Sequence, residues 1–253
     1  SHDYKYATVV HGDTPSGMLN DIAAICPLLK SYGILTVVDS VSAMFGEEVD
    51  VDAARIDLLC GGSQKVVSAP PGLTFVTLSA DAKKAMDERK TPVASFYANL
   101  KTFEHYYEEK WFPYTMPISD IRGLRAAIDN IAADKDILKR HAAIGAAARA
   151  AVTEAGLSLY LESGFSNTVT VFCVPEGMTD REILTAMREE HGILLAGSFG
   201  DLAGKVIRIG HMGENASVSD MTEVFGALDQ VFAKLHVPLK VSLRDCFLER
   251  LSV

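Results

Sequence analysis

Apolar positions in this chain fall into two kinds of block. Tyr6–Val10, Ile34–Val38, Asp57–Cys60 and Leu73–Leu78 are short, nearly continuous apolar or β-branched runs, which read as strands. Ile34–Val38 stops at Asp39 and has no polar alternation, the pattern of a strand buried on both faces of a parallel sheet. Between these runs, about Leu19 to Tyr32 carries Ile22, Ile25, Leu28 and Leu29 at helical spacing, and Gly33 ends it. Pro70-Pro71-Gly72 reads as a turn. Strands alternating with helices predict an α/β sheet, mainly parallel.

A second region begins near Ser119. Ile121 to about Ala155 reads as one long Ala-rich helix. Thr168–Val174, Ile193–Ala196 and Lys205–Ile209 read as strands. Thr179–His191 has a helix signature, with Thr179 as N-cap and Glu182 completing a capping box. Ser217–Leu235 is amphipathic. The expected organisation is a large α/β domain over residues 1–134 and a smaller α+β domain over 135–253. The chain opens almost at once on a buried-type strand, so a fragment, or a first part carried by a separate chain, is expected.

Charge narrows the choice of partner. The net charge of −9 argues against nucleic acid, which wants clustered Lys and Arg, but leaves room for a small anion held by one or two cations. The apolar runs are too short to span a membrane. Cys26, Cys60, Cys173 and Cys246 are scattered, with no zinc spacing. Cys60 and Cys173 end apolar runs and read as buried free thiols, which points to a reducing, cytoplasmic compartment.

Three polar groups follow predicted strands: His11-Gly12-Asp13-Thr14, Asp39, and Gln64-Lys65. Ligands of open α/β sheets bind at the carboxyl ends of strands, so Thr14, Asp39 and Lys65 should surround one crevice. Taken singly, each has a plain structural reading: Asp39 and Asp13 as turn formers, Thr14 as a turn hydrogen bond, His11 as a strand-end structural histidine. His211 lies close to Arg208 and reads as either buried or facing the site.

The strings HGDTPSG (11–17), VVDSVSA (37–43), GGSQK with APPGL (61–73), SFYANLK (95–101), FPYTMP (112–117) and KVIRIGHMG (205–213) resemble the class V aminotransferases, within the fold type I pyridoxal-phosphate enzymes. The similarity keeps its order over nearly the whole chain, nearest to the alanine–glyoxylate and serine–pyruvate types. It implies pyridoxal 5'-phosphate as cofactor and transfer of an amino group from a small donor, such as alanine or serine, to pyruvate or glyoxylate. It implies a homodimer, and a family segment that would lie before residue 1.

By the same resemblance Lys65 matches the lysine that bonds the cofactor, and Asp39 the carboxylate paired with its ring nitrogen. Thr14 matches the residue that bonds the phenolic oxygen, Val41 the apolar packing under the ring, and Gln64 a phosphate contact. Thr115 matches a hydroxyl that reaches the neighbouring subunit's phosphate, and Arg208 the grip on the substrate carboxylate. Phe112 stands where near relatives carry Tyr, which removes one phosphate hydroxyl. The DTPSG and FPYT spellings resemble pyridoxamine–pyruvate aminotransferases, and HGDT the ureidoglycine–glyoxylate enzymes. Another class V reaction, such as a lyase or desulfurase, and a catalytically incompetent fragment are the remaining alternatives.

Overall fold

A computed structural model describes residues 3–251. A four-stranded sheet is built from β1 (Tyr6–Val10), β4 (Leu35–Asp39), β5 (Leu58–Gly62) and β6 (Thr74–Leu78), in the order β1-β4-β5-β6. The first three strands are parallel and β6 runs antiparallel at the edge. Gly12–Asp13 (β2) and Met18–Leu19 (β3) close a small hairpin just after β1.

Helix α1 (Ile22–Ser31) covers one sheet face, where Ile22 and Cys26 pack with Val38 and Leu59. Asp21 caps it, its Oδ1 accepting from the Ala24 N–H at 3.0 Å. The helix starts later than its apolar spacing suggests because Met18 and Leu19 are drawn into the hairpin. Helix α2 (Ala80–Asp87), capped by Ser79, follows β6.

The long helix expected over 121–155 is two. Helix α3 (Ile118–Ala133) places Leu124, Ala127 and Ile128 against Val67 and Phe75 of the sheet region. Helix α4 (Ile137–Glu154) belongs to a separate core. The chain breaks at Asp134, whose carboxylate accepts from Arg140 Nη2 at 2.6 Å, while Arg140 Nη1 donates to the Gly213 carbonyl at 2.9 Å. That tie fixes the turn and stops the helix from running on.

The second core surrounds an antiparallel ribbon of β7 (Val169–Cys173) and β8 (Val206–Gly210). Helices α4, α5 (Asp180–His191), α6 (Val218–Lys234) and α7 (Leu243–Leu251) pack with it, and Phe172, Phe225, Phe232 and Phe247 are fully buried. The Thr179–Glu182 capping box forms as the sequence indicates. Ile193–Ala196 is not a strand: only Ala196 bridges, to Arg208. The cysteines also depart from expectation. Cys26 and Cys246 are buried, while Cys60 in the middle of β5 and Cys173 at the end of β7 are half-buried, and all four are free. Among the described residues no helix is long and apolar enough to cross a membrane.

Candidate active site

The parallel strands end in step. Val10 pairs with Asp39, and Asp39 with Cys60, so the polar residues that follow share one sheet edge. The His11 N–H donates to the Asp39 carbonyl at 2.7 Å and the Ser40 N–H to the Cys60 carbonyl at 2.9 Å. His11 Nδ1 and Ser40 Oγ lie 3.0 Å apart, both buried, and burial pushes the His11 imidazole down. His11 is therefore a structural histidine. Asp39 itself is exposed, its Oδ1 accepting from the Val41 N–H at 3.0 Å. Its charge reaches the neighbouring strand: burial first, then the Asp39 carboxylate, pushes the Cys60 thiol up.

After β5 the chain folds into a tight loop. The buried Ser63 hydroxyl donates to the Pro70 carbonyl at 2.6 Å, and the Ser68 N–H donates to the Lys65 carbonyl at 2.9 Å. Lys65 is half-buried and makes no ion pair among the described residues. Gly62 is required here. A Cβ on it would stand 2.7 Å from Gln64 Oε1 and 3.1 Å from Val41 Cγ1, so its absence lets those two side chains close over the strand end.

The 11–17 turn completes this side. The Ser42 hydroxyl donates to the Gly12 carbonyl at 2.5 Å, tying the turn to the Asp39 loop. Asp13 Oδ2 accepts from the Ser16 N–H at 3.1 Å and from the Ser16 hydroxyl. Thr14 stands half-buried at the bend, its hydroxyl without a protein partner among the described residues. Gly17, at φ +82°, sits where a Cβ would lie 2.8 Å from Val171 Cγ2.

That close approach delivers the second core to the site. Val171 pairs with Arg208 across the ribbon. Arg208 Nε donates to the Gly197 carbonyl at 2.6 Å, and the Ser198 hydroxyl donates to the Pro15 carbonyl at 3.3 Å. Burial pushes the Arg208 guanidinium down, and the nearby Asp13 carboxylate opposes this. On the other flank, the Glu214 N–H donates to Ser68 Oγ at 3.0 Å, seating the loop after β8 on the Lys65 loop.

The fold thus gathers Thr14, Asp39, Val41, Gln64 and Lys65 at one sheet edge, with Arg208 beside the Thr14 turn. Thr115 does not join them. It is exposed on the stretch before α3, and the preceding Phe112 is held in a ring cluster with Phe103, Tyr106 and Tyr114. His211 turns away into the core, its Nε2 at 2.9 Å from Thr170 Oγ1.

Two contributions escape a reading of the sequence. Asp13 looks like a turn former, and only the fold sets it beside Arg208. Glu47 is buried and accepts from Ser166 Oγ at 3.0 Å and Asn167 Nδ2 at 3.1 Å, bonding the loop after Asp39 to the segment before β7. Burial pushes its carboxyl up. No local pattern announces that pairing.

The family model for aminotransferase class-V matches residues 1–210. An uncharacterized aminotransferase of Methanocaldococcus jannaschii is 38% identical over 83% of this chain and 56% of its own length. Alanine–glyoxylate aminotransferase of Callithrix jacchus is 31% identical over 92% of this chain and 58% of its own. The crystal structure of pyridoxamine–pyruvate aminotransferase from Mesorhizobium loti superposes with a TM-score of 0.91 at 31% identity, over 97% of this chain and 64% of that one. The chain therefore spans less than two thirds of the length of these relatives. By sequence and by fold, it belongs to the class V aminotransferase family of fold type I, whose members depend on pyridoxal 5'-phosphate.

Proposed function

We propose that this chain carries the lysine, ring-side carboxylate and substrate arginine of a pyridoxal-phosphate aminotransferase. It moves an amino group from a small donor such as alanine or serine to pyruvate or glyoxylate. The observation that carries the reading is one sheet edge where, among the described residues, Lys65 has no ion pair and Thr14 no protein hydrogen bond, and where Val41 and Gln64 close over Gly62. That set fits the cofactor. Lys65 Nζ would take an aldehyde, Asp39 a protonated ring nitrogen, Thr14 a phenolic oxygen, Gln64 a phosphate, and Val41 a ring face.

When bound, the cofactor supplies an electron sink for the pair left as a proton departs the donor's α-carbon. Lys65 Nζ would hold the cofactor, and its amine would serve as the general base for the donor's α-proton. The Asp39 carboxylate would favour the protonated ring nitrogen. The Arg208 guanidinium is already fixed through Nε, and it orients the donor by a two-point grip on its carboxylate. The same grip takes the 2-oxo acid on the return half of the cycle.

The test is borohydride reduction after incubation with the cofactor, followed by peptide mass mapping. A pyridoxyl group on Lys65 is expected; reduced protein with Lys65 unmodified ends the proposal. A desulfurase would need a cysteine on a mobile loop, whereas Cys26, Cys60, Cys173 and Cys246 all lie in helices or strands. Pyridoxamine as amino donor is the second reading, favoured by the DTPSG turn and the likeness to the Mesorhizobium enzyme. Release of pyridoxal from pyridoxamine and pyruvate would select it.

The working unit in this proposal is a cytoplasmic homodimer with its domain boundary at residues 134/135. Thr115 serves the partner's site. Its own stretch is exposed and flanked by Trp111, Met116 and Ile118, which are 51%, 44% and 51% exposed, the composition of an interface core. Sedimentation across a dilution series checks this: cofactor affinity should fall as monomer appears.

A further inference from the structure

Arg208 is oriented but not neutralised. Only its Nε is engaged, by the Gly197 carbonyl; its two Nη groups have no protein hydrogen bond or ion pair among the described residues. Across from it stands Asp13. Both Ser16 bonds fall on Asp13 Oδ2, which leaves Oδ1 without a protein donor among the described residues.

Contacts that involve neither of these two side chains hold their segments together. Gly17 abuts Val171, the cross-strand partner of Arg208. The Ser166 N–H donates to the Gly17 carbonyl at 2.8 Å. Ser198, next to the carbonyl that fixes Arg208, donates to Pro15, two residues from Asp13. The carboxylate is near enough to support the guanidinium's charge, yet no ion pair joins them. Arg208 and Asp13 therefore stand on two segments that are bonded together, each with polar atoms that no described residue engages.

We infer that Asp13 determines which donors Arg208 accepts, favouring a monocarboxylate that also presents a hydroxyl or N–H and rejecting dicarboxylic acids. This rests on the reading of Arg208 as the carboxylate grip. The chemistry follows from the inventory of groups. An ionised carboxylate only accepts hydrogen bonds, so Oδ1 can reward a hydroxyl and offers nothing to a methyl. A second substrate carboxylate would have to settle beside a fixed anion in a half-buried site, where like charges are poorly screened. Turn formation alone would make no such distinction. Asparagine keeps an oxygen for the Ser16 bonds while losing the charge.

The experiment needs no turnover. Acetate, glycolate and malonate are titrated into the cofactor-bearing protein by calorimetry. Glycolate adds a hydroxyl to acetate; malonate adds a second carboxylate. Glycolate should bind best and malonate worst, about tenfold or more weaker than glycolate, or about 1.4 kcal/mol. Asp13→Asn should tighten malonate by about tenfold relative to glycolate, and Ser16→Ala should leave the order as it was. An unchanged malonate-to-glycolate ratio in Asp13→Asn overturns the inference, as does an equal shift from Ser16→Ala, which would assign the effect to turn geometry. Arg208→Lys separates the two levels. If all three acids bind it as tightly as the wild type, the carboxylate grip itself is wrong and the inference falls with it. If they weaken while the Asp13 ratio stays flat, only the inference falls.

Discussion

The sheet region and the ribbon region bury their apolar residues very differently. Around β7 and β8 the core closes on itself: Phe172, Ile207, Ile209, Phe225, Phe232 and Phe247 are all at 0% exposure. In the sheet, one face is packed and the other is open. Val38 and Leu59 are buried under α1, but Tyr6 (64%), Val10 (40%), Val76 (37%) and Leu78 (39%) stand out on the opposite face. The strand register puts Val10 in line with Asp39 and Cys60, and Cys60 beside Val76, so this is one continuous face. The candidate chemistry sits mostly in the thinner region, and the thicker one contributes the arginine that must be aimed. Activity and stability should therefore separate by region.

The widest separation is expected at Lys65. Replacing it with Ala should lower turnover of alanine and glyoxylate by about 10⁴-fold, since both cofactor attachment and the α-proton base are lost. The melting temperature should stay within a degree or so, because the side chain is half-buried and makes no ion pair among the described residues. Turnover close to wild type would place the chemistry elsewhere in the molecule.

Phe232→Ala is the converse. Phe232 packs edge-on against Phe172, ring centroids 6.4 Å apart at 77°, and both are fully buried. The loss should be about 3–5 kcal/mol, read in a urea melt. Chemistry should survive in whatever fraction stays folded.

Acid should strain the ribbon region most, through His211. Burial, then the charges of Arg149 and His141, pushes the His211 imidazole from 6.5 down to about 3. A base with a depressed folded pKa contributes stability that is complete above its unfolded value and drains away as pH falls towards the folded one. From pH 6.5 to pH 4 that drain is about 3 kcal/mol. Asp57, a buried acid of the sheet region, responds later. Burial alone would push the Asp57 carboxyl up, but Lys30, the Thr36 N–H and the Ser79 hydroxyl outweigh it and hold the group below 3.8. Its contribution is lost only below that value. Thermal melts between pH 7 and pH 4 should fall steeply in the wild type and less in His211→Asn; parallel curves would remove His211 as the cause.

How much of this could be read in advance depends on how local the cause is. The strand cores β1, β4 and β8 are legible within about a residue and β5 within two, because a short apolar run is its own signal. The strand-end residues Asp39 and Lys65 are legible for the same reason. Helix α7 is not. Its start is secured by Asp229 of α6, whose oxygens accept from the Leu243 N–H at 2.8 Å and the Ser242 hydroxyl at 2.7 Å, and its apolar side is completed by Phe225. The break at Asp134 depends on Arg140 and Gly213, and the meeting of Asp13 with Arg208 on Gly17 against Val171. Each of these is decided by residues far apart in the chain, where periodicity has nothing to say.

The smallest expected effects are the sharpest test of whether the two regions are separate cooperative units. Asp21 caps α1 on the sheet, and Thr179 caps α5 in the ribbon core. The Thr179 cap is legible in the sequence and the Asp21 cap emerges only in the fold; replacing either with Ala should cost about 1 kcal/mol. Hydrogen exchange tells where that cost lands. If the regions open independently, Asp21→Ala should speed exchange in β1 and β4 alone, and Thr179→Ala in β7, β8 and α5, where Ile183 and Met187 are fully buried. Uniform acceleration by either variant would mean that contacts such as Glu47 with Asn167, or Gly213 on the Val66–Ser68 loop, weld both regions into one unit. In that case the stability of the ribbon core also guards the site on the open sheet.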